Sequence, residues 1–166
     1  NAYRCGPPSR SLGHNAKGKK WTLGIEDPTS PTPKVFVPIC ALDKAVTTAG
    51  SYRNYFKDEN SGKIYSHVID PKTGYPVSHQ TMSVTVIAES AFEADALDTG
   101  LLVLGSEKAL EWAKKNNYAV AVIEFENNQP VLKHSKTFVA SFSFILFFFP
   151  NNTKFICDFS KCSSLN

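Results

Sequence analysis

A chain of 166 residues, 42% of them apolar, is long enough for one ordinary globular domain. Its net charge of +3 comes from 18 Lys and Arg that are scattered rather than clustered, which argues against a nucleic-acid partner. Of the four cysteines, Cys157 and Cys162 lie near each other but share no zinc-like spacing with a second pair, which argues against a metal knuckle and leaves the redox compartment open. The chain starts at Asn1 with no Met and no basic or apolar stretch of a signal peptide there, so none is expected in these residues. The longest apolar run, from Phe138 to Phe149, is broken by Ser141 and Ser143 and falls short of the roughly 20 residues a membrane span needs.

In chain order, residues 1–20 are rich in Gly, Pro, Ser and Lys and predict a loop. Strands are expected at Trp21–Ile25, Val35–Ile39 and Ala45–Ala49, with a Pro-punctuated loop from Asp27 to Pro33 between the first two. Tyr52–Phe56 and Lys63–Ile69 flank a polar turn and predict a hairpin, and Ser83–Ala88 alternates as a further strand. Ser90 with Glu93 three residues on is a capping box, which starts a helix that runs to Leu104 and stops at Gly105. Ser106 is expected to cap a second helix to about Asn116, with Leu110 and Ala113 as its apolar face. Ala119–Phe125 and Val131–Leu132 then form strands around an Asn127-Asn128 turn. Neighbouring hairpins with two late helices give an α+β class, with a mostly antiparallel or mixed sheet.

After residue 137 the character changes: Phe and Ser alternate irregularly, and a polar, Cys-containing tail follows. The expected organisation is therefore 1–137 as folded domain and 138–166 as an atypical Phe-rich tail, either a poorly specified or erroneous terminus or a buried terminal strand.

Three segments hold groups capable of chemistry. In the first, a strand delivers His67 into an Asp70-Pro71-Lys72-Thr73-Gly74 turn, where His is a base near neutral pH, Lys72 a cation, and Thr73 a hydroxyl suited to phosphate. In the second, Asp95, Asp98 and Thr99 share one helical face; three oxygen donors suit a hard cation such as Mg²⁺. Leu97, Leu101 and Leu104 on the flanking face are expected to be buried. The third, Thr47-Thr48-Ala49-Gly50-Ser51-Tyr52, offers hydroxyls around a glycine for phosphate or ribose oxygens. Composition alone also fits a plain hairpin turn, a solvated acidic helix and ordinary strand hydroxyls. Dinucleotide, Walker, nucleophile-elbow and zincin templates are absent, and His14, His79 and His134 are expected on the surface.

The order and spacing of these segments go further. Thr48-Ala49-Gly50-Ser51-Tyr52, then Tyr65-Ser66-His67-Val68-Ile69-Asp70-Pro71-Lys72-Thr73-Gly74-Tyr75-Pro76-Val77, then Ser83–Ala88 and Ala94-Asp95-Ala96-Leu97-Asp98-Thr99 resemble the ApbE family of FAD:protein FMN transferases. The stretch from Gly18 to Pro28 is similar to that family's Trp-containing strand, so the resemblance covers about residues 10–137.

The resemblance implies an α+β fold of the ApbE type, present in part, and an enzyme that uses Mg²⁺, cleaves FAD, attaches FMN through a phosphoester to a Thr or Ser of an acceptor protein and releases AMP. It implies His67 as the group that deprotonates the acceptor hydroxyl, and Asp95, Asp98 and Thr99 as the metal face. Thr48, Ser51, Val68, Ile69, Lys72 and Thr73 fall where FAD is contacted. The chain departs from the family pattern at Lys72 (usually Arg), at Ala49 and Ser51 (often Ser and Asp), at Asp98 (commonly Ala) and at Cys5-Gly6-Pro7-Pro8, where a Gly-rich segment is expected. The family's N-terminal half, source of much of the FAD pocket and a further metal contact, has no counterpart in these residues. Mg²⁺-dependent FAD hydrolysis, or an inactive flavin-binding remnant, are the alternatives. Bacterial relatives usually work in the periplasm or anchored to the membrane; the acceptor, compartment and oligomeric state are not fixed by the sequence.

Overall fold

The computed structural model describes residues 2–4, 9–16, 18, 21–40, 43–52, 55–59, 62, 64–127, 129–140, 144–145 and 156–157. The Cys5-Gly6-Pro7-Pro8 segment, Lys19, Lys20, Lys63, Asn128, Cys162 and most of the Phe-rich tail lie outside them.

Twelve strands and three helices are described. In order they are β1 (Ala2–Arg4), β2 (Ser9–Arg10), β3 (Thr22–Glu26), β4 (Val35–Cys40), β5 (Ala45–Gly50), β6 (Tyr55–Lys57), β7 (Ile64–Ser66) and β8 (Thr81–Ala88). Then follow α1 (Ala91–Leu104), α2 (Ser106–Asn116), β9 (Ala119–Glu126), β10 (Gln129–His134), α3 (Lys136–Ala140), β11 (Phe144–Ile145) and β12 (Ile156–Cys157). Five strands form an antiparallel sheet in the order β10-β9-β8-β5-β2, and β1-β3-β4 form a second sheet with β1 parallel to β3. The pairs β6-β7 and β11-β12 stand apart as two-stranded ribbons.

The layers follow from strand alternation. Val46, Ile87, Ala119, Ala121 and Ile123 leave one face of the five-stranded sheet and pack on Leu23, Ile25, Val37 and Ile39 of the smaller sheet. Ala45, Val84, Val86, Val120 and Val122 leave the other face and pack on Ala94, Leu101 and Leu102 of α1 and Ala109 and Ala113 of α2. Burying a side chain such as Leu102, fully enclosed here, contributes roughly 1.5–3 kcal/mol.

The α1 boundaries are those of the capping box. Ser90 Oγ accepts the Glu93 N–H at 3.2 Å, and Gly105, at φ 80°, ends the helix with its N–H on the Leu102 carbonyl. Gly105 joins α1 directly to α2, and a Cβ there would sit 3.2 Å from His79 Cδ2.

Several expectations need correction. Residues 1–20 are not all loop, because β1 and β2 use them to extend both sheets. The hairpin at β6-β7 is shorter than its apolar pattern predicts. Ser106 does not cap α2: its N–H donates to Thr81 Oγ1 at 2.9 Å and its hydroxyl to Glu124 Oε2 at 2.9 Å, tying the helix start to β8 and β9. Leu104 is 41% exposed, so the apolar flank of α1 is only partly covered.

A third helix, α3, was not signalled by periodicity. Ser135 begins it, accepting the Phe138 N–H at 3.2 Å while its own hydroxyl donates to the Tyr118 carbonyl. Phe138 is thereby buried between the sheets, at a position where the sequence pattern placed the start of the tail.

Candidate functional site

The histidine turn is built by the chain folding back on itself. Val77 N–H donates to the Val68 carbonyl at 3.0 Å, Asp70 N–H to Tyr75 O at 2.9 Å, and Ile69 bridges Pro76. Inside it, Asp70 Oδ1 accepts the Lys72 N–H at 2.9 Å, and its carbonyl accepts from Thr73 and Gly74. Gly74 stands at φ 72°, where a side chain would be strained. Thr73 Oγ1 accepts the Tyr75 N–H at 3.3 Å. These bonds hold His67 and Lys72 exposed at the surface, while Val68 is buried with Ala94 and Leu101 of α1. The turn is thus anchored to α1 through Val68, with Ile69 half exposed beside it.

Pro71 and Lys72 also wall a cleft of about 430 Å³ whose other sides are Leu97, Leu104, Lys108 and Trp112. At 3.6 residues per turn, positions 97, 100 and 104 lie on the flank of α1 away from Asp95 and Thr99. The cleft and the acidic face are therefore separate features.

On the acidic face, Asp95 and Thr99 are exposed and Asp98 between them is only 3% exposed. Thr99 Oγ1 donates to Asp98 Oδ1 at 3.0 Å. Burial pushes the Asp98 carboxyl above its ordinary value; the Thr99 and Thr47 hydroxyls and the Thr99 main chain oppose this, and Asp95 adds repulsion. Thr47, 1% exposed on β5, points into the helix layer like Ala45 two residues earlier; among the described residues its Oγ1 has no formed hydrogen bond, so its effect on Asp98 is one of proximity. Among the described residues no cation faces Asp98. A buried carboxyl beside an orphaned hydroxyl and two exposed oxygen donors is a donor set that fits a hard cation. It is an incomplete one, since no three His, Cys, Asp or Glu side chains converge among the described residues.

Thr48 and Ser51 are placed differently. Thr48 lies on the opposite face of β5 from Thr47, its Oγ1 2.9 Å from Thr85 Oγ1. Ser51 Oγ donates to the Thr81 carbonyl at 3.1 Å. The structure therefore joins β5, α1 and the histidine turn into one neighbourhood through Thr47, Asp98 and Val68, and leaves Thr48 and Ser51 with bonds to β8.

Two positions escaped sequence reasoning. Thr47 was grouped with the other hydroxyls, although alternation from the buried Ala45 could have aimed it at the helix. His79, expected on the surface, has both ring nitrogens buried and without a hydrogen bond among the described residues, packed against Gly105. His14 is exposed as expected, while His134 is half buried with Nδ1 3.1 Å from Ser135 O.

Comparison with known proteins adds an independent line. The sequence profile of the ApbE family matches residues 6–123. The FAD:protein FMN transferase of Haemophilus influenzae is 45% identical over 130 residues, which is 78% of this chain and 37% of that protein. That of Escherichia coli K12 is 47% identical over 118 residues, 71% of this chain and 33% of that protein. Among solved structures, the apo flavinyl transferase ApbE of Pseudomonas stutzeri superposes with a TM-score of 0.68 at 36% identity, covering 81% of this chain and 41% of its own. The flavin transferase ApbE of Vibrio cholerae gives 0.68 at 34% identity, covering 79% and 40%. The chain spans about a third of the length of the curated relatives it matches.

Proposed function

The chain belongs to the ApbE family, and on that premise we propose that it is the part of an FAD:protein FMN transferase that carries the acceptor-activating base and the metal face. In the proposed reaction the hydroxyl of a Thr or Ser on an acceptor protein attacks the FMN phosphorus of FAD. The pyrophosphate P–O bond breaks, FMN stays on the acceptor as a phosphoester, and AMP leaves.

The observation that carries this reading is the face of α1: exposed Asp95 and Thr99 stand beside a carboxyl that is 3% exposed and has no cation facing it among the described residues. The Thr99 hydroxyl offsets only part of the cost of burying this carboxyl, and a cation held by the exposed donors beside it would offset more. Asp95 and Thr99, with Asp98 beside them, would hold Mg²⁺, which when bound neutralises charge on the phosphate oxygens. His67, exposed at the end of β7, takes the proton of the acceptor hydroxyl as its oxygen bonds to phosphorus. Lys72 supplies a cation for the phosphates, and Thr73 Oγ1 keeps its proton for them, since toward Tyr75 it acts as an acceptor. Ile69 offers main chain to the flavin; Val68 has its N–H on Ser66 Oγ and its carbonyl on Val77, so any contact it makes is through the second lone pair of that carbonyl. Ser51 Oγ spends its proton on the Thr81 carbonyl, so any contact it makes to FAD is as an acceptor.

The test is to incubate the chain with FAD, Mg²⁺ and a Thr-containing acceptor domain and to follow acceptor mass. A gain equal to FMN supports transfer. AMP and FMN without a gain makes the reaction a hydrolysis, and no product with no FAD binding sinks both for this chain.

A further inference from the structure

We propose that Asp98 is a positioning residue for this face rather than one of its ligands: it takes the Thr99 hydroxyl proton and so turns the lone pairs of Thr99 Oγ1 outward to the metal. The inference rests on the metal-face reading above and divides the labour within it.

A hydroxyl carries one proton and two lone pairs, and only a lone pair can bind a cation. An exposed threonine with no preferred acceptor rotates its proton through all directions and presents it to the metal part of the time. Here Thr99 Oγ1 donates to Asp98 Oδ1 at 3.0 Å, which commits the proton to the interior side of the helix. The lone pairs then face the solvent side, where Asp95 also lies exposed.

Asp98 itself is badly placed to be a ligand. Mg²⁺ keeps several waters and demands near-octahedral room, whereas Asp98 is 3% exposed and packed over β5. Its position is instead that of the carboxylates that orient the true ligands of metal sites by hydrogen bonds. The floor beneath it is also suited to holding a carboxyl still. Thr47 is 1% exposed, its hydroxyl has no hydrogen bond among the described residues, and alternation along β5 aims it at the helix layer. Asp98 is thus set between the Thr99 hydroxyl of its own helix and the Thr47 hydroxyl of the strand below.

The test is Mn²⁺ affinity measured on this chain by electron paramagnetic resonance, as a double-variant cycle. Thr99→Val and Asp98→Ala are each expected to weaken binding roughly 10- to 100-fold. Because Asp98 acts through Thr99, the double variant should be no more than about threefold weaker than Thr99→Val alone. Asp98→Asn keeps an acceptor oxygen of the same shape and should restore most of the affinity lost in Asp98→Ala; it also serves if the alanine variant does not fold. Losses that add in the double variant, or an Asn variant as weak as the Ala variant, would overturn the positioning role. If the unsubstituted chain binds no Mn²⁺, the metal-face reading itself falls and the positioning role with it, a result distinct from additive losses.

Discussion

Helices α1 and α2 follow one another across Gly105 and rest on the same face of the five-stranded sheet, yet they bury different things. The inner stripe of α2 is Ser106, Ala109 and Ala113, with Glu107 in its first turn and Lys114 and Lys115 in its last. Its charges point outward, and Glu107, Lys114 and Lys115 sit at the favourable ends of the helix dipole. The inner stripe of α1 is Ala94, Leu101, Leu102 and the carboxyl of Asp98, and no base stands in its last turn. Packing, the ties of Ser106 to β8 and β9 and the left-handed Asn117 at its C-terminus account for α2. For α1 packing and capping account for all but one residue, and that residue lies beside the two exposed oxygen donors. A cost that stability does not explain is where function is most economically sought.

The sharpest way to break the contrast is to remove outward acids from each helix in turn. Asp95→Ala on α1 is expected to lower the rate of FMN transfer roughly 100-fold or more, while Glu111→Ala on α2 leaves it unchanged. Equal effects would mean that α1 has no special role.

Exchanging what the helices bury comes next. Ala113→Asp puts an unpaired carboxyl into the stripe of α2 and should cost about 3–5 kcal/mol in urea unfolding. Asp98→Asn on α1 should leave stability at neutral pH unchanged or higher without metal. The sign follows because the folded-state pKa is raised, so the ionised form is the one the fold disfavours.

Helix starts give a smaller effect. Ser90→Ala removes the side-chain cap of α1 and should cost about 0.5–2 kcal/mol, read as a lower midpoint in thermal unfolding. The smallest expected effect is at the α2 end of the sheet, where Lys133 Nζ lies 2.6 Å from both Glu124 Oε2 and Glu126 Oε1. Burial pushes Glu124 up, but hydrogen bonds from Lys133 and Ser106 and the charges of Lys133 and His79 hold it below its ordinary value. Lys133 is raised to about 12, first by the Glu124 bond. A lowered acid stabilises above its unfolded value of 4.5 and loses this as pH falls through its folded value; the raised lysine loses its share only as pH climbs from 10.5 to about 12. Lys133→Met should therefore cost about 0.2–1 kcal/mol across the neutral range, discounted for its exposure, and less as pH falls below 4.5.

Much of this architecture is legible in the chain. Ser90, Glu93 and Gly105 mark α1 to the residue because caps are local chemistry, and Ala45, Val84 and Val86 alternate because a sheet has two faces. The short strands β1 and β2 were not legible, since their pairing is set by partners more than 15 residues away rather than by their own polar sequence. The same holds for α3, which depends on Ser135 reaching Tyr118 and Val120. For the site, spacing put Asp95, Asp98 and Thr99 on one face, but only packing separates the buried member from the exposed two. Thr48 and Thr47 illustrate the limit most plainly: adjacent in sequence and alike in chemistry, they point to opposite sides of one strand.

The most direct measurement is the thermal midpoint of the chain as Mg²⁺ is added, with and without Asp95→Asn. A saturable rise in the unsubstituted chain that the variant lacks is the predicted result, because a cation held by the folded face stabilises by mass action. The same rise in both, or none in either, would contradict the assignment of α1 as the metal face.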